Sequence, residues 1–247
     1  MRPCAAEWSP ISKSFSLMSE WWTYRLSDLL LFSPRTYYRL FELYNAAIWP
    51  AQVAAIVLGV AVLVLGRRPG SARRRWIAAI LAGCWLWVAI AFHANRYATI
   101  NWSAISFAWG FGFEAALLLW TGVLRGKLVF EMGEGAIGRA AGGIFLFALL
   151  AQPFLGPLCG RPWRQVEIFG VAPDPTAVAT LGILLLAAGR VRWELLAIPA
   201  IWCAISGATL LAMKAPDFWA TPLLAALALS LAVWKARTRR RTAAKTA

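Results

Sequence analysis

Three polar side chains inside one apolar hairpin are the first candidates for chemistry. The stretch 85–120, WLWVAIAFHANRYATINWSAISFAWGFGFEAALLLW, holds the only histidine of the chain, His93, with Arg96 three residues later and Glu114 within an apolar run. A carboxyl group inside a membrane span costs about 2.5 kcal/mol or more on insertion scales, so Glu114 carries a functional reading by default. As a site it would bind a proton or a cation. As a structural group it would hydrogen-bond a neighbouring helix, with Ser106, Gln152, Thr180, Ser206 and Thr209 as neutral candidates.

Depth separates these residues. Glu114 lies twelve residues beyond Trp102, about 18 Å along a helix and just past a bilayer midplane. His93 closes the preceding span near the outer surface, about 15 Å or more from the level of Glu114, so no dyad is expected. His93 and Arg96 read as an outer rim, capping a helix C-terminus where cations are favoured, or as a mouth that meets a ligand.

A second group lies in the stretch 159–175, CGRPWRQVEIFGVAPDP. Cys159, Arg161, Trp163, Arg164 and Glu167 can line an outer mouth, and arginine beside tryptophan equally suits lipid headgroups. Asp174 with Pro175 reads as an acidic N-cap and a proline at the first helical position.

The elements that must position these groups are membrane helices. Of 247 residues, 60% are hydrophobic and 15% charged, well beyond the composition of a soluble domain. Apolar runs of roughly 17 to 23 residues match a hydrocarbon core of about 30 Å. The expected fold is an all-α, polytopic bundle of seven transmembrane helices at about 46–65, 76–93, 102–124, 139–158, 176–190, 194–213 and 217–234. Residues 1–17 read as a disordered leader without a signal-peptide core, 18–45 as an amphipathic interfacial segment, and 235–247 as a basic cytoplasmic tail. Ser33 and Pro34 are a helix start, followed by Tyr37, Leu40, Phe41 and Tyr44 at helical spacing. The fifth span is short, about 22 Å. It must lean on neighbours, begin earlier, or adjoin a loop that dips into the membrane.

Charge sets the orientation. Of the 25 lysines and arginines, 16 fall in the loops 66–75, 125–139 and 190–192 and in the tail, which places the C-terminus in the cytoplasm and the N-terminus outside. Trp49, Trp102, Trp163 and Trp219 fall near outer ends, and Trp76, Trp120, Trp193 and Trp234 near inner ends, as two interfacial belts. The GxxxG pairs Gly122/Gly126 and Gly138/Gly142 suggest close approach of the third and fourth spans. The net charge of +14 belongs to these loops, so the expected partners are the bilayer, anionic lipids at the basic loops and tail, and other membrane subunits, with no nucleic acid.

Several chemistries lack their parts. Cys4, Cys84, Cys159 and Cys203 are scattered, so neither a disulfide nor a metal site is expected, and no cofactor is implied. A retinal pigment needs a lysine inside a late span, whereas Lys214 and Lys235 sit at span ends. No nucleophile stands near His93, so no enzymatic activity is expected.

Three stretches carry a family resemblance: WWTYRLSDLLLFSPRTYYRLFELYNAAIWPAQ (21–52), FHANRYATINWSA (92–104) and FGVAPDPTAVATLG (169–182). From about residue 18 to its end the chain resembles a bacterial inner-membrane family of unknown function, sometimes labelled permease. The resemblance implies a multi-pass inner-membrane protein and brings no catalytic or binding residues. Where that family reads Pro-Cys-Pro-Thr, this chain has Asp174 at the cysteine. The readings that follow from the sequence are a small permease-like transporter with Glu114 and Gln152 at an intramembrane site, or a non-catalytic accessory subunit of a membrane complex.

Overall fold

Ser33 and Pro34 open the first helix as their chemistry requires. The Ser33 hydroxyl accepts from the Thr36 amide at 3.2 Å and Pro34 takes the first helical position, where its missing N–H leaves nothing unsatisfied. The computed structural model describes residues 32–67, 70–130 and 135–246. The expected leader 1–17, the start of the interfacial segment, Cys4, Arg68, Glu131 and Glu134 lie outside the described residues.

Helix α1 (Pro34–Ala47) meets α2 (Ala51–Gly66) at an angle of 86°. Tyr37, Leu40, Phe41 and Tyr44 form its buried face, but that face does not look outward. It packs into the bundle, with Tyr37 against Tyr97 and Phe41 against Phe92. Helix α3 (Ser71–Trp87) continues through wider π-type turns over Val88–Ala94, and α4 (Ala104–Leu118) continues likewise over Leu119–Leu124. Helix α5 (Ala136–Leu146) passes through wide turns at Phe147–Ala151 into α6 (Gln152–Leu158). Those turns lie just ahead of Pro153, whose ring cannot fit a regular helical ladder. Helices α7 (Pro173–Leu185), α8 (Trp193–Ala212) and α9 (Ala220–Thr246) complete the chain.

The described residues are helical, with one isolated antiparallel bridge between Phe130 and Ala187. Five helices are long and apolar enough to cross a membrane: Ser71–Thr99, Ala104–Leu124, Ala136–Leu158, Trp193–Ala212 and Ala220–Arg239. The bent pair α1 and α2 makes a sixth when taken as one span. The segment expected at 176–190 is α7, which starts earlier and has 13 helical residues, about 20 Å.

Every residue of α7 is buried. Neighbouring helices enclose it, chiefly α5 and α8, with α9 and α3. Its Gly182 permits a close approach to backbone, since a Cβ there would stand 2.9 Å from the Ala141 carbonyl and the Phe145 amide. Helices α5 and α7 thus meet closely through a glycine outside both GxxxG pairs. Gly122 makes a contact at least as close, but with Ala78 of α3, and Gly142 faces open space.

The first turn of α7 is level with the middle of α8, because Asp174 is bonded to Trp202 and Ser206. The chain before it therefore descends into the bundle: Phe169, Gly170, Val171 and Ala172 are all buried. Gly170 has φ +81°, and a Cβ there would stand 3.0 Å from Cys84 Sγ and 3.2 Å from Ala55 Cβ. Only glycine fits that conformation in that space. Side chains satisfy the non-helical backbone: Tyr44 donates to the Val171 carbonyl at 2.7 Å, and Asn45 donates to the carbonyls of Arg164 and Val166. At the other end of α7, Lys235 donates to the carbonyls of Leu185 and Ala187 at 2.7 and 2.6 Å. The basic residue expected in a separate tail thus belongs to α9 and covers a helix C-terminus, where a cation is favoured.

Candidate functional site

Glu114 is fully buried, on the face of α4 that carries Phe111, Ala115 and Leu118. Neither carboxyl oxygen has a hydrogen-bond partner among the described residues. The partners the sequence offered go elsewhere: Thr180 accepts from Trp85, Ser206 donates to Asp174, and the Thr209 hydroxyl donates to the Ile205 carbonyl. None of the described cavities is lined by Glu114. The contact is sealed.

His93 is placed differently from its expected position. It is buried, not at a rim, and both ring nitrogens lack partners among the described residues. Phe111, Trp202 and Phe92 pack on the ring at 4.5, 4.8 and 5.2 Å between centroids. The reason is tertiary. Helix α1 lays Phe41 over Phe92, and Trp202 arrives from α8. Phe111 lies three residues from Glu114, about 4.5 Å of helix rise, so the two groups are closer in level than the sequence suggested, yet no hydrogen bond joins them. Arg96 is exposed and lines an open cleft of about 720 Å³ with Arg35 and Arg39.

The polar residues that do converge come from α6, the descending loop, α7 and the start of α9. Gln152, Arg161, Glu167, Asp174, Asp217 and Thr221 line a cavity of about 20 Å³, room for a single water-sized occupant. Arg161 is paired with Asp217 and stacks over the Tyr38 ring at 4.8 Å. Asp174 is not the exposed cap expected of it. It is buried and accepts from Trp202 Nε1 at 2.8 Å and the Ser206 hydroxyl at 2.5 Å. The N-cap position is Ala172, without a side-chain cap, and the Thr176 hydroxyl inside the first turn accepts from the Gly170 amide and donates to the Ala172 carbonyl.

Four oxygens of the lining residues have no hydrogen-bond partner among the described residues: Gln152 Oε1, Glu167 Oε2, Asp217 Oδ1 and Thr221 Oγ1. Arg161 Nε is also without one. Burial, reinforced by the neighbouring Asp174 carboxyl, holds Glu167 well above the usual carboxylate range. Three carboxyl groups face one guanidinium here, so full ionisation would leave two uncompensated negative charges in a largely buried place. Such a cluster favours uptake of a positive charge.

Among the candidates read from the sequence, the fold thus brings together Gln152, Arg161, Glu167 and Asp174 and leaves Glu114, His93 and Arg96 apart. Trp163 is 60% exposed and packs on Phe154, outside the cavity. Asp217 and Thr221 escaped the sequence reading. One signal existed: Asp217 is the only acidic residue after Glu194, in a turn on the same expected side as Arg161.

A family model matches residues 35–243, most of the chain. The chain belongs to this family of unknown function, DUF6064. The match covers α1 and the cavity residues from Gln152 to Thr221 alike, so the site of this DUF6064 chain lies wholly within the family's extent. No curated protein matches the chain, and no solved structure matches it.

Proposed function

We propose that this protein is a small permease-like membrane protein, and that its intramembrane polar site is the cavity of Gln152, Arg161, Glu167, Asp174, Asp217 and Thr221. Glu114 is not part of that site. The observation that carries the reading is the cavity itself, lined by oxygens with no hydrogen-bond partner among the described residues and set beside a non-helical segment within the bundle. Irregular backbone at membrane depth is tolerated where protein encloses it or a cavity adjoins it. Half-length helices that start near the midplane are a recurrent way to build ion and solute sites.

The bacterial inner membrane is the proposed setting, with the N-terminus outside and the C-terminus cytoplasmic. Supporting it, the eight tryptophans assigned to helix ends are all exposed by 44 to 75%, as an aromatic belt requires. Helix α2 exposes Val53, Val57, Val60 and Val64, a surface suited to lipid tails. In this setting α2 and α7 complete seven crossings, α7 as a short crossing surrounded by protein. Anionic lipids contact the basic loops and tail.

A second reading is a non-catalytic accessory subunit of a membrane complex. The sealed burial of Glu114 and His93 favours it, since two ionisable groups without partner or access do no evident work in transport. Reconstitution in liposomes containing a pH-sensitive dye separates the readings. Permease function predicts ion-dependent proton flux that Asp217→Asn abolishes and Glu114→Gln leaves unchanged. Equal silence of native protein and Asp217→Asn across candidate ions would leave the accessory role.

A further inference from the structure

We infer that the cavity between α6, the descending loop and α9 is a binding site for one small monovalent cation of sodium size. The inference rests on the cavity being the functional site and specifies what it holds.

The donor set is the first reason. Gln152 Oε1, Glu167 Oε2, Asp217 Oδ1 and Thr221 Oγ1 are hard oxygen donors, and each is buried and unpartnered. Gln152 and Thr221 are themselves 7% and 3% exposed, so these polar atoms were withdrawn from solvent without a protein partner, an unfavourable state unless something else meets them. The volume, about 20 Å³, admits one occupant. A neutral organic solute does not fit.

Charge selects among small occupants. Arg161 neutralises Asp217 across their ion pair, and the Asp174 carboxylate is engaged by Trp202 and Ser206. Glu167 and Asp174 are left as carboxyl groups with no ion pair among the described residues, which favours a bound cation. Four unpartnered oxygens, two of them neutral, suit a monovalent ion. A divalent ion prefers six or more oxygens, and among the described residues no group of three histidine, cysteine or acidic side chains is placed to hold a metal.

The test is equilibrium binding of radioactive sodium to the full-length protein in detergent, with choline as the inert control and potassium as competitor. The expected result is one saturable site per chain. In Glu167→Gln binding should weaken by about tenfold or more, and the near-isosteric Thr221→Val should weaken it by a smaller factor. Size-exclusion profiles confirm that each variant is folded. Absence of saturable binding at every pH, or binding unchanged in both variants, overturns the inference. Saturable binding without flux in liposomes overturns the permease reading and leaves this site standing. Flux that persists in both variants with no sodium binding does the reverse.

Discussion

Trp202 donates its indole N–H to Asp174 at 2.8 Å, which fixes the first turn of a buried half-length helix against the midpoint of α8. A carboxylate that would otherwise cap a helix at the membrane surface is turned into the protein and held by two donors from another helix. The descent of residues 166–172, the burial of His93 under Trp202, and the cavity beside Asp174 all depend on that placement.

Removing the acceptor should therefore be costly. Asp174→Ala leaves the Trp202 indole and the Ser206 hydroxyl buried without a partner, at about 1–3 kcal/mol each. A marked fall in the melting midpoint in detergent is expected, with a smaller one for Ser206→Ala. A midpoint unchanged in Asp174→Ala would show that this carboxylate does not anchor α7.

Gly170 is the tightest point of the descending loop. Gly170→Ala must adopt φ near +81° and press its Cβ on Cys84 and Ala55. Strain and overpacking together should lower stability by about 1–3 kcal/mol. Gly142→Ala, facing open space on a helix, should be neutral or slightly stabilising, and thermal melts of the pair make the comparison.

Glu114 should behave in the opposite way to Asp174. Its carboxyl is buried with no hydrogen-bond partner among the described residues, so Glu114→Met, similar in shape and apolar, should raise stability by about 1–3 kcal/mol. A loss of stability would reveal a partner for this group and return it to the list of functional candidates.

Glu167 gives a pH dependence of known sign. Its folded form holds the proton more tightly than the unfolded chain. The stabilisation from this group is complete below the ordinary carboxylate range and is lost as pH rises through the higher value in the folded protein. In sodium-free buffer the melting midpoint should fall with rising pH over that window. Glu167→Gln should lack this part of the slope.

The sequence by itself determined local structure such as the start of the first helix. Ser33 and Pro34 start a helix, and the spacing of Tyr37, Leu40, Phe41 and Tyr44 defines its buried face, because capping and periodicity depend on neighbours within two turns. The length and apolarity of the long runs yielded five helices suited to cross a membrane, and tryptophans assigned to ends are exposed. Tertiary structure alone decided which polar residues meet. Asp174 joins residues 28 and 32 positions away, and Arg161 meets Asp217 across 56. No spacing rule reaches across such separations, since each pair exists only where separate helices pack. His93 turned inward for the same reason: aromatic side chains of α1, α4 and α8 close over it. An isolated hairpin would have left it at the surface.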